Sequence, residues 1–354
     1  MRGIGRSASR APTWGVTALT AAFSSLVVVA VLVLALGACG GASPMASTSP
    51  SASPSPSVAP SESATPLPRP TVAGTIAFAK VVTTGDGGNS DIYVVNPDGT
   101  ALKQLTDTPG WETNPSWSPD GTRIVYAVYA PRADDTIYAT LWVMNADGSN
   151  KRRLTKGSVR GDWAVWSPDG KKIAFMRALS LEEHAIFSVK ADGSGLRRVT
   201  HPAPGTPPGG QVDHFPAWAP SGKILFLRLS DVCAIGHDGS GLVQLTKVGN
   251  IGDFALSPDG KRIAIDSKTS QSIEIVPARG GGTPVTVLHP ISDFITPDPY
   301  AAPAWTPDGK ALAMASSSHM GSHGSRLYIV NADGSGLSAV PGIDNAEEPD
   351  WRPR

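Results

Sequence analysis

The sequence predicts an all-β fold, a six-bladed β-propeller of four-stranded antiparallel blades. Three observations support this prediction. A motif built on Trp and Pro-Asp-Gly recurs along the chain, a second Asp-Gly turn follows most copies, and short segments of alternating apolar residues lie between the turns. The 354 residues also include 38 Gly and 32 Pro with only 6% aromatic residues, which is typical of short strands joined by tight turns.

Residues 1–38 are predicted to be a signal peptide of the lipoprotein type. Arg2, Arg6 and Arg10 precede a long apolar run, and the run ends in "LGAC", which resembles the lipobox of bacterial lipoproteins. That resemblance implies that Cys39 carries the lipid. An uncleaved membrane helix is the alternative, because the apolar run is long enough to span a bilayer. Both interpretations place the rest of the chain on the extracytoplasmic side of the cell membrane, in the periplasm or at the cell surface.

Residues 39–72 are predicted to be a disordered tether. The segment "GGASPMASTSPSASPSPSVAPSESATPLPRPTV" consists almost entirely of Ser, Pro, Ala and Thr. Such a composition cannot bury enough apolar surface to offset the entropy of ordering, and its prolines keep the chain extended. The folded domain is therefore expected to be residues 73–354.

Six copies of the first motif and six of the second turn indicate six units. The Trp position of the motif is occupied by Trp117, Trp166, Trp218, Leu256, Trp305 and Trp351. Within a unit, "TRIVYAVY" alternates as a half-buried strand does, "TLWVMN" runs into an Asp-Gly hairpin, and "KRRLT" makes a short charged edge strand. With the strand that carries the Trp, each unit has four strands.

The two ends of the chain predict how the ring closes. The first unit begins directly at "GTIAFAK" and lacks a Trp-bearing strand, whereas the last residues, "EEPDWRPR", are such a strand with nothing after it. The C-terminal strand is therefore expected to pair with the N-terminal blade, which removes the exposed edges of an open stack.

The Pro-Asp-Gly motif is interpreted as a structural joint. Pro fixes φ, Asp accepts hydrogen bonds from nearby backbone amides, and Gly adopts positive φ. The stretch "PSWSPDGTRIVYA…LWVMNADGSNKRRLT" resembles the WD-repeat-like Pro-Asp propeller repeat of the TolB family, with weaker copies at "APSGK" and "PARGGG". The resemblance covers Gly74 to Arg354 and implies a propeller. Members of that family include periplasmic proteins that bind partner proteins and the propellers of prolyl-oligopeptidase-type peptidases.

No catalytic residue and no metal ligand are predicted. The chain has no Gly-x-Ser-x-Gly elbow, and "GSHGS" (321–325) has the wrong order. His319 and His323 stand in a Gly/Ser-rich loop without a third ligand, and Cys233 is interpreted as a buried, inert thiol. Two cysteines exclude a disulfide framework, and 30 basic against 30 acidic residues give no field that would favour nucleic acid.

Acidic residues ahead of the Trp-bearing strands are the candidate binding residues. They are expected to surround one mouth of the central channel and to bind a cationic group, either a basic peptide segment or a metal ion. Solvated loop acids are the alternative interpretation. The candidates are Glu112, Asp162, Asp213 with the adjacent His214, Asp253, Asp298, Glu347 and Glu348.

The predicted function is that of a membrane-tethered extracytoplasmic binding module. It is expected to recognise a protein or peptide at the cell envelope through the propeller face, to act as a monomer, and to need no cofactor. Two alternatives stay open: a lactonase-like propeller hydrolase with a metal at the channel mouth, and a carbohydrate- or surface-sensing module.

Overall fold

The computed structural model describes residues 70, 72–84, 87–131, 137–156, 159–180, 183–202, 212–270, 272–279, 284–288, 302–316 and 325–353. These belong to one compact unit, Leu67–Arg354. The predicted signal peptide, Cys39, Asp298, His319 and His323 lie outside the described residues, as does nearly all of the tether. Among the described residues, no helix has the length and apolarity needed to cross a membrane.

The described secondary structure consists of short β-strands. In chain order they are β1 (Ile76–Thr84), β2 (Gly87–Val95), β3 (Lys103–Gln104), β4 (Trp111–Trp117), β5 (Arg123–Pro131), β6 (Ile137–Asn145), β7 (Arg152–Arg153), β8 (Asp162–Trp166), β9 (Lys172–Ala178), β10 (His184–Lys190), β11 (Arg197–Arg198), β12 (Asp213–Trp218), β13 (Lys223–Arg228), β14 (Asp231–Gly236), β15 (Val243–Gln244), β16 (Ile251–Leu256), β17 (Arg262–Ser267), β18 (Ser272–Pro277), β19 (Val285–Leu288), β20 (Ala304–Trp305), β21 (Ala311–Ser316), β22 (Arg326–Asn331), β23 (Ser338–Asp344) and β24 (Ala346–Trp351). The predicted charged edge strands are two residues long, as in β7 and β11.

The strands form four-stranded antiparallel sheets, which confirms an all-β propeller fold. Four sheets are separate: β8–β11, β12–β15, β16–β19 and β20–β23. The other eight described strands form one sheet, in which the antiparallel sets β24-β1-β2-β3 and β4-β5-β6-β7 meet. A single parallel pair, Ser90 with Trp111, joins the two sets.

The C-terminal strand completes the first set, as the sequence predicted. β24 pairs antiparallel with β1 from Ile76–Trp351 to Lys80–Ala346. Side chains of β24 also hold the neighbouring set: Glu348 Oε2 accepts the Asn114 amide at 2.5 Å, and Asp350 Oδ2 accepts the Trp117 amide at 2.7 Å. The end of the chain is therefore bound to strands on both sides.

Apolar side chains fill the seams between neighbouring sets of four strands. Trp117 packs with β1 and β2 residues, Trp166 with residues of β5 and β6, and Trp305 with residues of β17 and β18. Trp351 packs against the last sheet through Leu327 and its neighbours. The Trp positions therefore sit between sheets, in the structural role that the sequence predicted for them.

Arginines lie over Trp rings at several seams. The guanidinium of Arg123 lies 4.5 Å from the centre of the Trp166 ring, and that of Arg262 lies 4.6 Å from Trp305. Arg352 lies 5.3 Å from Trp117 and donates to the Gly121 carbonyl at 3.0 Å. These cation–π contacts add to the apolar burial across each seam.

The Pro-Asp-Gly motif is a turn, as expected. In the first copy, Asp120 Oδ1 accepts the Thr122 amide at 3.0 Å and the Ser118 hydroxyl at 2.5 Å. Gly121 has φ +63°, in the left-handed region that favours glycine. The motif reverses the chain between β4 and β5.

Because β24 closes the ring, a substitution near the chain terminus should strongly reduce the stability of the fold. Trp351→Ala should lower the free energy of unfolding by about 3–5 kcal/mol, because the ring is 4% exposed and fills the seam between the first and last sheets. Urea unfolding followed by tryptophan fluorescence measures this, with Trp117→Ala as the internal comparison. A loss below about 1 kcal/mol, as at a fraying terminus, would contradict the closure.

Candidate functional site

The first strand of each set lies at the centre of the ring. β4, β8, β12, β16, β20 and β24 contact one another in succession, and β24 contacts β4 again. In four of these strands the third residue before the Trp position has left-handed φ: Asn114 (52°), Trp163 (47°), Phe215 (50°) and Glu348 (52°). The ladder registers shift at the same places, so each of these strands contains a β-bulge there.

Residues near these bulges make up what we call the axial cluster, defined as Asn114, Asp162, Trp163, Phe215, Asp253 and Glu348. Asn114 donates its side-chain amide to Asp162 Oδ1 at 2.8 Å, and its backbone amide to Glu348. The rings of Trp163 and Phe215 meet edge to face at 4.8 Å. The cluster therefore draws on five of the central strands and combines carboxyl groups with aromatic rings.

Asp162 is the most enclosed carboxyl of the cluster. It is 3% exposed, and its oxygens accept hydrogen bonds from the Tyr129 hydroxyl, from Asn114 and from the Trp163 amide. Asp253 has a single recorded partner, the adjacent Phe254 amide at 2.6 Å. Glu347 precedes Glu348 on β24 and pairs with Ala79 in the ladder.

Two of the predicted acids face their own sheets. Asp213 is fully buried and makes a two-point ion pair with Arg228, at 2.7 and 2.8 Å. Glu112 is 1% exposed, accepts a hydrogen bond from Thr108 and faces Asp91 of β2. The described candidate acids thus do not occupy equivalent positions, because they stand three, four or five residues before the Trp position and strands alternate their faces.

His214 lies beside the cluster rather than in it. Its ring is 5.5 Å from Phe215 and 6.1 Å from His184 of the preceding sheet. Burial lowers the pKa of His214 to about 4, and His184 contributes to the shift. His214 is therefore neutral at physiological pH and adds no positive charge near the carboxyls.

Comparison with known proteins agrees with the repeat and the fold. A family model described as the TolB beta propeller domain matches residues 77–232, the region from β1 to β14. Residues 77–232 therefore match the TolB β-propeller family, and the described domain as a whole has a TolB-like propeller fold. The match spans less than half of the 354 residues and reaches into the fourth set of strands.

Curated relatives share short stretches of sequence with this propeller. The Tol-Pal system protein TolB of Nitratidesulfovibrio vulgaris is 40% identical over 60 residues, which cover 17% of this chain and 13% of the relative. A TolB homolog of Chlorobium luteolum is 46% identical over 39 residues, covering 11% and 9%. The matched regions are thus a small part of either relative.

A solved structure shares the fold of the TolB-like propeller over most of the length of both proteins. TolB from Acinetobacter baumannii superposes with a TM-score of 0.63 at 18% identity, covering 79% of this chain and 67% of that protein. Identity at this level shows the fold alone.

Two axial carboxyls of the TolB-like propeller, Asp253 and Glu348, have raised pKa values. Burial raises the pKa of Asp253 to about 8, and the nearby Asp266 adds to the shift. Burial also raises the pKa of Glu348 well above its usual value, with further contributions from Glu347, Asp162 and Asp253. These couplings show that the carboxyls are close enough to repel one another when ionised.

The axial aromatic residues were missed by the sequence reasoning. Trp163 and Phe215 occupy the same repeat position as Asp253 and Glu348, three residues before the Trp position. Alignment of that position in all six units would have identified it. Elsewhere, Cys233 is buried and unpaired, and burial raises the pKa of its thiol, as expected of an inert cysteine. In the described ranges, no three His, Cys, Asp or Glu side chains are placed to hold a metal ion.

The raised pKa of Asp253 predicts how stability depends on pH. Between its unfolded value near 3.8 and its folded value of about 8, the folded state holds more protons than the unfolded state. The contribution to stability is therefore full below pH 4 and is lost as the pH rises through 8. Asp253→Asn should flatten the decline in unfolding free energy from pH 5 to pH 8, measured by urea unfolding.

Asp333→Asn is the matched control for this prediction. Asp333 lies in an exposed turn, and hydrogen bonds from Ser335 lower its pKa, so it changes charge only below the tested range. This variant should keep the wild-type slope. Equal slopes in the wild type and the Asp253→Asn variant would show that Asp253 is ionised in the folded protein throughout.

Proposed function

We propose that this TolB-like propeller is a membrane-tethered extracytoplasmic binding module that recognises a protein or peptide partner through a cationic segment at the axial cluster. The observation that carries the proposal is the convergence of Asp162, Asp253 and Glu348 from three central strands beside Trp163 and Phe215. A Lys or Arg side chain satisfies both halves of this arrangement. Its charge compensates the carboxylates, and its cation also favours an aromatic face.

A cationic partner also accounts for the cost of the cluster. Carboxyls that repel one another and lose hydration destabilise the ionised propeller. A bound cation would offset that repulsion. The complex would therefore gain a favourable electrostatic interaction that the empty domain lacks. Asp213 contributes little to such binding, because Arg228 already neutralises it.

We infer six blades for the ring that presents this cluster. Each set of the eight-stranded sheet has four antiparallel strands, and one parallel pair joins the two sets. Counting the two sets as separate blades gives six with the four separate sheets. The six described apolar clusters support this count, because each joins residues from two neighbouring sets.

A partner in the cell envelope fits the predicted export of the chain. The relative from Nitratidesulfovibrio vulgaris is a Tol-Pal system protein by name, and we extend to this chain only the idea of a protein partner at the envelope. Lipidation of Cys39 would anchor the domain to the membrane, and the Ser/Pro-rich tether would let its face reach that partner.

Binding of a labelled tetralysine peptide tests the recognition step. The wild-type protein at pH 8 should bind it more tightly than tetraglutamate, and Asp253→Asn/Glu348→Gln should weaken binding roughly tenfold or more, the effect of about 1.4 kcal/mol. Fluorescence anisotropy measures both affinities. Asp333→Asn, which removes an exposed acid far from the cluster in sequence, should bind as the wild type does. Equal affinity for the two peptides, or an unaffected double variant, would refute cationic recognition at the axis.

Metabolic labelling tests the anchor separately. A clickable fatty acid supplied to cells should label the wild-type protein and leave Cys39→Ala unlabelled, because only the cysteine thiol can carry the lipid in a lipoprotein. In-gel fluorescence of the immunoprecipitated protein measures this. Wild-type protein found in membranes without label would favour the uncleaved membrane helix.

A further inference from the structure

Two repeats contain the same arrangement of side chains around an aspartate in the third strand of a set. These residues are Asp91 within β2 and Asp231 at the start of β14. Asp91 accepts the Gln104 side-chain amide at 3.1 Å, and Asp231 accepts Gln244 at 3.1 Å. In both repeats the hydroxyl oxygen of a Thr two residues after the Gln accepts a hydrogen bond from the backbone amide that follows the aspartate. The distance is 2.8 Å from Ile92 and 2.9 Å from Val232. Equivalent positions can therefore be compared directly between the two repeats.

In the later repeat the aspartate is satisfied by the loop that follows. Asp231 Oδ1 accepts the Thr246 hydroxyl at 2.8 Å, the Val248 amide at 3.0 Å and the Gly249 amide at 3.2 Å. The residue five before the Trp position in this repeat is the apolar Ile251. The site is complete as it stands.

In the earlier repeat the corresponding oxygen has no donor. Asp91 is 3% exposed, and no hydrogen-bond donor reaches its Oδ1. In place of isoleucine, this repeat has Glu112, which is 1% exposed and lies within hydrogen-bonding reach of Asp91, and no donor from any other described residue reaches its Oε2. The Thr106 hydroxyl lies beside both carboxyls, but one hydroxyl proton cannot satisfy two facing carboxylates.

A third unsatisfied oxygen belongs to the same loop. Asn89 donates its side-chain nitrogen to the Thr108 carbonyl at 3.0 Å, which fixes the orientation of the amide and leaves Oδ1 without a donor. Thr108 also donates its hydroxyl to Glu112 Oε1, so Asn89 and Glu112 converge on one residue. Asn89 and Asp91 lie on the same face of β2, since strands alternate their side chains.

No protein cation compensates this charge. Among the described residues, neither Asp91 nor Glu112 forms an ion pair, and Asp107, whose charge acts on Asp91, is also negative. Two buried carboxylates are strongly destabilising unless a cation or a proton lies between them. Oxygen-only ligands favour hard cations, and Ca²⁺ accepts irregular sets of carboxylate, amide and water oxygens, whereas Mg²⁺ requires nearly ideal octahedral geometry.

We propose that Asp91 Oδ1, Glu112 Oε2 and Asn89 Oδ1 form a structural Ca²⁺ site, here called the seam site. The ion would link β2 to β4, the two strands that only the Ser90–Trp111 pair joins in the ladder. It would thus strengthen the contact between the two sets of the eight-stranded sheet. The seam site is separate from the axial cluster and does not depend on the proposed function.

Thermal unfolding of the full chain, stripped with chelator and then given CaCl₂ alone, tests the proposal. Saturating Ca²⁺ should raise the Tm of the wild-type protein by about 5 °C or more. Asp91→Asn and Glu112→Gln should abolish the shift. Equilibrium dialysis with radioactive calcium should give close to one bound ion per chain for the wild type and none for these variants.

Two controls separate the seam site from other carboxylates. Asp231→Asn alters the equivalent position that already has its donors, and should keep the full Ca²⁺ response. Asp253→Asn/Glu348→Gln should also keep it, because these residues belong to the axial cluster. If Asp91→Asn or Glu112→Gln fails to fold, Glu112→Ile copies the residue of the later repeat. It should give a folded protein whose Tm does not change with Ca²⁺.

Three results would overturn the proposal. One is a wild-type protein whose Tm and calcium content do not respond to the ion, which would mean that the carboxyls share a proton only. Another is an undiminished response in Asp91→Asn or Glu112→Ile. The third is a response lost only in the axial double variant, which would place the ion at the axis.

Discussion

Burial of both faces of every four-stranded sheet is the constraint on which the rest of this structure depends. A single twisted sheet has two apolar faces, and each face here is covered by a neighbouring set through seams that contain residues such as Trp117, Trp166 and Trp305. A linear stack would leave two faces and several edges exposed to water. The pairing of β24 with β1 removes that defect, and the carboxylates of Glu348 and Asp350 extend the closure to β4.

The same closure brings the residues of the axial cluster together. Because the first strand of each set lies at the centre, one repeat position is presented several times around the axis. The β-bulge at that position forces left-handed φ on residues as different as Asn114, Trp163 and Glu348. Non-glycine residues in this region carry backbone strain, and strain of this kind commonly accompanies functional sites. The bulge is thus part of the scaffold, whereas the side chain that it carries is open to variation.

The buried carboxyl groups differ in whether a positively charged side chain neutralises them. Arg228 neutralises Asp213, and Lys268 lies 2.5 Å from Asp266. Among the described residues, Glu348 and the Asp91–Glu112 pair form no ion pair, and Asp253 feels only Lys268, which is already paired with Asp266. Charges left uncompensated inside a propeller weaken its stability unless a proton or a ligand supplies the missing charge. Both proposals for this protein, the cationic partner at the axis and Ca²⁺ at the seam, follow from that imbalance.

The sequence by itself determined the repeat, the turn chemistry, the four-strand unit and the pairing of the two chain ends. These features are local or periodic: Pro-Asp-Gly specifies its turn wherever it occurs, and a missing strand at one end matches an extra strand at the other. Cys233 could likewise be recognised as inert from its place within an apolar strand.

Which acids lie close together depends on strands from different repeats, and the sequence does not specify it. Sequence reasoning grouped Glu112 and Asp213 with Asp253 because all precede a Trp position, but a shift of one or two residues along a strand changes the face on which a side chain lies. The partners that decide each charge, such as Asp91 for Glu112 and Arg228 for Asp213, come from other strands. Trp163 and Phe215 meet only because separate repeats converge at the axis, and such convergence is a property of the closed ring rather than of any segment in it.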